Sequence, residues 1–445
     1  MEVEAEGRKP GKVAVDEGRH LPVRAGALGR VPGSILLAAG LGLVLRLLFL
    51  GNKSLWLDEA WSVMVALGDV GDLWSGVADK MNPPGYYLLL MPWVRVNQSE
   101  FWLRLPSVLF GVAAIPLIFS LARLLHSEAV GTSAAWLLSL SPIHVWYSQE
   151  ARGYSILIVL ALGSAIALLQ ALRRFDRRAW AAHAVLTAAA FYIHYSAVWI
   201  LLFQSLAVVL EISRTGMSFR RVSATAISLL VAGLAFLPWL SSPAAGAFFA
   251  RASIGGLYPA QFLAQRLGVS PELALLLIVT ALAFIAAALM LCAYFVLRNR
   301  HRLGALRDPS RFGAGVLILM LVALAASVVP RAHSVKRSNL IPWTFGLLAL
   351  AWVFPWRLPI PRALRALPAL SLLLSVVNVT LIPKDEWRQA IQFIHAHQQP
   401  GDVTWLLSDY LRAPYLYYDR GRSDWTGVSP EMTDDELEGV LPASR

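Results

Sequence analysis

Long apolar runs separated by short polar stretches govern this chain. A membrane-spanning helix needs about 20 mostly apolar residues, with a lower limit near 17. Eleven runs are read as spans: 34–50, 104–125, 131–147, 154–172, 179–193, 197–212, 222–240, 271–297, 312–330, 338–355 and 366–382. The run 179–193 is short, so the boundaries around His194 are the least sharply drawn. The first run starts too far in, and lacks a small-residue cleavage site before Lys53, to be a cleaved signal peptide; it is read as the first permanent span. One more apolar segment, PPGYYLLLMPWVRV (83–96), is too short to span and is expected to lie as a helix in the membrane interface. The pattern changes in the tail 383–445, where DEWRQAIQFIHAHQ predicts an amphipathic helix and VTWLLS a short strand. No internal repeat is visible. The expected fold class is therefore an all-α polytopic membrane protein with about 11 spans, a polar tail 1–33, a membrane domain 34–382 and a small α/β region 383–445 resting on it.

Composition agrees with this pattern. Hydrophobic residues make up 57% of the 445 and charged residues only 15%, whereas a soluble domain carries about 25% charged residues. An ordinary cytosolic enzyme is excluded, and so is a disordered chain. Only one cysteine, Cys292, is present, so an intrachain disulfide and a multi-cysteine zinc site are both excluded. The net charge of +11 is spread through loops between apolar runs, which points to a bilayer rather than a nucleic acid.

The basic loops also set orientation. RRFDRR (173–178), Arg214 with Arg220 and Arg221, RNRHRLGALRDPSR (298–311) and Arg357 with Arg362 and Arg365 all fall on one side if eleven spans alternate. The positive-inside rule makes that side the cytoplasm, and the tail 1–33, expected to be disordered, joins it. Counting 83–96 as a span would move these loops outside. The opposite, extracytoplasmic side then carries 51–103, 148–153, 194–196, 241–270, 331–337 and the C-terminal tail. The expected location is a plasma (inner) membrane.

Four groups on that side hold unusual chemistry. In LWLDEAWS (55–62) two adjacent carboxylates, Asp58 and Glu59, sit among tryptophans. Helix neighbours are about 100° apart, so both cannot face one site. Either one serves as a general base in an apolar rim, or the pair merely favours a helix start. In NPPGYY (82–87), Asn82, Tyr86 and Tyr87 offer polar groups and flat faces for a sugar, and Gly85 lets backbone approach closely; a plain interface anchor is the other reading. HVWYSQEARGY (144–154) brings Tyr147, Glu150 and Arg152, the last two able to pair with each other, while IHYS adds His194 and Tyr195. RAHSVKR (331–337) supplies Arg331, Lys336 and Arg337, which break the positive-inside trend; Arg46 is a further cation near the end of the first span. These cations suit an anionic phosphate, with snorkelling to headgroups as the alternative. Together the groups describe one cleft with a base, cations and aromatic walls, suited to moving a sugar from a lipid phosphate. No P-loop or dinucleotide fingerprint is present.

The ordered set LWLDEAWS, NPPGYYLLL, EFWLRLPSVLFG and SPIHVWYSQEARGYSILIVLAL resembles the bacterial GT-C membrane glycosyltransferases, which include protein O-mannosyltransferases and lipid A aminoarabinose transferases. The likeness runs through FYIHYSAVWILLFQ and AFLPWL to DEWRQAIQFIHAHQQPGD, most strongly over 46–160. It implies a polyprenyl-phosphate sugar donor, inverting transfer on the extracytoplasmic face, and Asp58 as the base. Glu150 and Arg152 match the second outer turn of such enzymes, and Arg337 matches a basic position before a late span. Here Arg337 is followed by Ser338 and Asn339, where the usual pair is Arg-Tyr. Metal dependence varies among these enzymes, which leaves a divalent ion near Asp58 open. The acceptor, whether protein, lipid or glycan, is left unassigned. The alternative classes are a transporter or flippase of a lipid-linked saccharide and a non-catalytic lipid-sugar binder.

Overall fold

Among the described residues the apolar runs fold as helices. The computed structural model describes residues 32–247 except 77, 80, 81, 216 and 217, then 340, 341, 344, 346–348, 367–407 and 411–427. α1 (Gly33–Leu47) buries Ile35, Ala38, Gly42, Leu45 and Arg46, a three- and four-residue spacing that puts them on one face. Its other face exposes Leu36, Leu37 and Val44, a surface suited to lipid rather than water. The first loop follows as three short helices: α2 (Leu57–Leu67), α3 (Val70–Ser75) and α4 (Gly85–Val94). α5 (Glu100–Leu125), α6 (Glu128–Leu140), α7 (Pro142–Ser148), α8 (Tyr154–Arg174) and α9 (Arg177–Ile193) then run back and forth. A 3₁₀ turn (Tyr195–Ala197) leads into α10 (Val198–Thr215) and α11 (Phe219–Leu240). After α12 (Leu367–Leu381) comes the tail: α13 (Trp387–His397), β1 (Val403–Leu406), α14 (Arg412–Asp419) and β2 (Asp424–Gly427).

The two strands pair in parallel with Val403 opposite Asp424. Parallel strands need a crossover, and α14 supplies it. The amphipathic helix and the short strand expected in the tail are thus both present. Among the described residues, Glu100–Leu125, Tyr154–Arg174 and Phe219–Leu240 are long and apolar enough to cross a membrane, while Gly33–Leu47 and Pro368–Leu381 are shorter apolar helices. The expected spans 271–297 and 312–330 lie outside the described residues, as does most of 338–355.

One expected span is corrected. The run 131–147 breaks between α6 and α7. Pro142 has no backbone N–H and pushes the residue before it out of the helical region; Ser141 accordingly sits at ψ 118°. The short segment at 83–96 does form a helix, α4, whose Tyr86, Tyr87, Leu90, Met91 and Val94 are buried. Its first residue, Gly85, is where backbone comes close. A Cβ there would stand 2.6 Å from the Tyr192 carbonyl oxygen at the end of α9. Gly85→Ala is therefore expected to lower stability by about 1–3 kcal/mol, as overpacking does, read as a drop in the thermal midpoint of the purified protein.

The helix ends sort into two sets. At one end Arg173 donates to the Leu124 carbonyl (2.8 Å) and pairs with Glu211 (3.1 Å), so the arginine-rich turn 173–178 lies beside the α5–α6 turn. At the other end Arg104 donates to the carbonyls of Leu50 and Lys53, and Ser107 donates to that of Arg152. The Tyr154 ring lies 5.6 Å from that of His194, and Trp239 donates to the Tyr195 hydroxyl. The first loop, the turn 149–153 and the turn 194–196 therefore share one end of the bundle, opposite the arginine-rich turn.

Candidate functional site

Asp58 is the second residue of α2 and is half-buried. Ser62, one turn later on the same helix face, donates to the Asp58 carbonyl (2.8 Å). The Arg152 guanidinium lies over this face: Nη1 donates to Ser62 Oγ (2.8 Å) and to the Asp58 carbonyl (3.4 Å), and Nη2 to Asn82 Oδ1 (3.5 Å). Asn82 in turn donates to Asp79 Oδ2 (3.0 Å) and the Tyr87 hydroxyl (3.3 Å), and Tyr87 donates to Asp79. Burial works against the Arg152 charge, but Tyr154, Tyr87, Asp58 and Asp79 outweigh it, so Arg152 stays firmly cationic. Burial also raises the Tyr86 and Tyr87 hydroxyls above the ordinary tyrosine range, and that of Tyr195 to about 12. All three remain protonated at neutral pH and are suited to donating hydrogen bonds.

Aromatic rings wall the same region. Tyr147 meets Tyr154 edge-on at 5.1 Å, Tyr154 continues to His194, and Tyr86 meets Tyr87 at 6.2 Å. Glu150 is buried and bears electrostatically on Lys384 and Tyr86. The Arg152 guanidinium is spent on Ser62 and Asn82. Asn82, Tyr86, Tyr87, Tyr147, Glu150, Arg152, His194 and Tyr195 therefore gather at the end of the bundle that holds Asp58. Two participants escape a reading of the sequence. Asp79 appears there only as one acid among several in the loop. Ser62 carries a usable signal, its four-residue spacing from Asp58.

Two candidates are corrected. Glu59 points away from this cluster into the protein. Its oxygens accept from Arg104 Nε (2.8 Å) and Nη2 (2.7 Å), from the Ala151 N–H (2.8 Å) and from Lys384 Nζ (3.2 Å). It also accepts from the Trp56 N–H at the start of α2 (3.3 Å), so the helix-start role belongs to Glu59. Burial alone would raise its pKa, but Arg104 and Lys384 outweigh this and hold it at about 2. A permanently charged, fully enclosed carboxylate is a structural anchor, not a base. Arg46 is likewise enclosed: it donates to Ser148 Oγ (3.1 Å) and to the carbonyls of Gly42 (2.9 Å), Ser139 (3.1 Å) and Leu138 (3.4 Å). With no exposed surface, it ties α1 to the α6–α7 break and cannot also grip a phosphate. Arg331, Lys336 and Arg337 lie outside the described residues. Among the described residues no three His, Cys, Asp or Glu side chains are grouped to hold a metal ion, and the carboxylates around Arg152 do not form such a set.

Residues 81–241, which include Asn82, both tyrosines, Glu150 and Arg152, match the family described as dolichyl-phosphate-mannose-protein mannosyltransferase. No curated protein matches the chain in sequence. The fold is similar to that of the oligosaccharyltransferase of Archaeoglobus fulgidus tethered to an acceptor peptide containing the NVT sequon, with a TM-score of 0.52 at 11% identity, covering 89% of this chain and 64% of that one. ArnT from Cupriavidus metallidurans bound to undecaprenyl phosphate gives a TM-score of 0.45 at 14% identity, covering 92% of this chain and 87% of that one. The chain spans less than two thirds of the length of the oligosaccharyltransferase structures it matches. The chain has the GT-C fold of the membrane glycosyltransferases, and its segment 81–241 carries the mannosyltransferase family's sequence pattern.

Proposed function

We propose that this protein is a membrane glycosyltransferase that moves a sugar from a polyprenyl-phosphate donor to an acceptor hydroxyl on the extracytoplasmic face of the plasma membrane. The observation that carries the reading is the face of α2 that holds Asp58 and Ser62, against which the Arg152 guanidinium from the turn 149–153 is laid. It lies at the end opposite the arginine-rich turn, beside a segment whose family is described by a lipid-phosphate mannose donor. Asp58 takes the proton of the acceptor hydroxyl. The acceptor oxygen attacks the anomeric carbon, the bond from that carbon to the phosphate oxygen breaks, and polyprenyl phosphate leaves with the electron pair. Attack from the opposite face inverts the anomeric centre. Fixed cations lower the barrier by meeting the developing negative charge; Arg337, Lys336 and Arg331 are assigned that role. Tyr86, Tyr87, Asn82, Glu150, Tyr147, His194 and Tyr195 position the substrates.

The test is transfer of label from a radiolabelled polyprenyl-phosphate sugar into a membrane acceptor fraction by purified protein. Transfer supports the enzyme. Donor crossing a vesicle bilayer with no transfer supports a carrier instead. Two variants refine the assignment. Arg337→Glu is expected to raise the apparent KM for donor about tenfold or more, the worth of one charge-assisted contact; an unchanged donor affinity removes it from the phosphate site. Arg152→Lys loses the fork that bridges Ser62 and Asn82. A small misplacement of reacting groups costs up to about 10²-fold, and the loss is expected in kcat with the pH profile retained.

A further inference from the structure

The side of α2 turned away from Asp58 lines a cleft of about 950 Å³. Ala60, Val63, Met64 and Leu67 face it; at 100° per residue they lie roughly opposite Asp58 and Ser62. The far wall is the C-terminal segment, with Ile391 of α13 and Leu416 of α14. The lining thus has an aliphatic part, beside Tyr417, Tyr418 and Gln392, and some of it is open: Leu67 is 45% and Val96 71% exposed.

The rim is cationic. Arg95, Arg388, Arg420 and Arg422 all line it, against one carboxylate, Glu100. Glu100 is taken by Arg388 at 2.5 Å. Arg95 caps the end of α4 through the Met91 carbonyl (2.5 Å). Arg420 and Arg422 are exposed and form no ion pair with any described residue. Their turn is built rather than loose. Buried Asp419 pairs with His395 (2.8 Å) and accepts the backbone N–H groups of Arg422 (3.0 Å) and Ser423 (3.2 Å). Arg420 is held at φ 55°. Asp419 is thus turned inward, and among the described residues no carboxylate pairs with either guanidinium group.

The depth of the cleft points to the occupant. It opens beside the α4–α5 turn, where Trp93 and Trp102 stack at 4.2 Å and each indole donates to the other's backbone carbonyl. Such tryptophans sit at headgroup level. Guanidinium groups above an aliphatic patch at that level match a phosphate above methylenes, and arginine grips phosphate with two parallel hydrogen bonds. We infer that the cleft between α2 and α14 is a binding site for an anionic lipid, its phosphate held by Arg420, Arg422 and Arg95 and its first methylenes laid on Met64 and Leu67. This site is separate from Asp58 and does not rest on the reaction proposed above.

The test uses the full chain in nonionic detergent, with phosphatidylglycerol and phosphatidylcholine titrated in and retained lipid counted by native mass spectrometry. The wild type is expected to retain phosphatidylglycerol in preference to phosphatidylcholine, and Arg420→Ala/Arg422→Ala to lose about tenfold or more of that affinity. Leu67→Glu, which leaves the arginines in place, is expected to lower retention as well. Equal retention by wild type and the double variant overturns the site. Displacement of the lipid by inorganic phosphate at the lipid's own concentration, or by an acidic peptide, overturns the assignment to a lipid.

Discussion

Asp58→Asn is expected to leave the protein folded and to lower turnover about 10²–10⁴-fold, the usual worth of a positioned base. The reason it stays folded is specific. The hydrogen bonds of Glu59 and of the Asp58 main-chain carbonyl, which the substitution keeps, tie α2 to its neighbours, and Tyr154, Tyr87 and Asp79 still act on the buried Arg152 charge. The loss should therefore appear in kcat, with little change in thermal midpoint. Initial rates of sugar transfer, measured beside a melting curve on the same preparation, check both halves. Near-normal turnover would remove the base assignment.

Glu59→Gln should do the opposite, damaging stability before chemistry. The side chain is fully buried between Arg104 and Lys384. Removing its charge deprives two buried cations of their nearest carboxylate, and losing one partner of a buried pair costs about 3–5 kcal/mol. That is a large fraction of the stability of a typical domain. The same carboxylate makes stability depend on pH. Its folded pKa of about 2 lies below the unfolded value near 4.3. Its contribution is therefore complete above that unfolded value and disappears as pH falls through about 2. Acid melting of wild type should show this step, and Glu59→Gln should lack it.

These two adjacent residues show what the sequence can and cannot tell. The helices were legible because apolar stretches declare themselves, and so was the tail, whose helix at 387–397 and strand at 403–406 follow from periodicity alone. The gathering of Asn82, Tyr87, Arg152 and His194 at one end was legible from loop parity. The division of labour between Asp58 and Glu59 was not. It depends on Arg104, which sits inside an apolar run 45 residues away, and on Lys384, 325 residues away. No local pattern announces either partner. Arg46 misled for the same reason. Its position near a span end suggested a phosphate ligand, whereas the carbonyls released at the Ser141 break, about 90 residues on, consume its donors.

The central claim is that Asp58 and its cluster face away from the cytoplasm. The most direct test places single cysteines, in a Cys292→Ser background, at two exposed positions: Asn97 beside the first loop and Arg177 in the arginine-rich turn. A membrane-impermeant maleimide applied to intact cells, or to spheroplasts where an outer membrane blocks access, should label Asn97→Cys at once and Arg177→Cys only after the membrane is opened. Labelling of Arg177→Cys from outside, with Asn97→Cys protected until lysis, would put Asp58 in the cytosol and contradict the account.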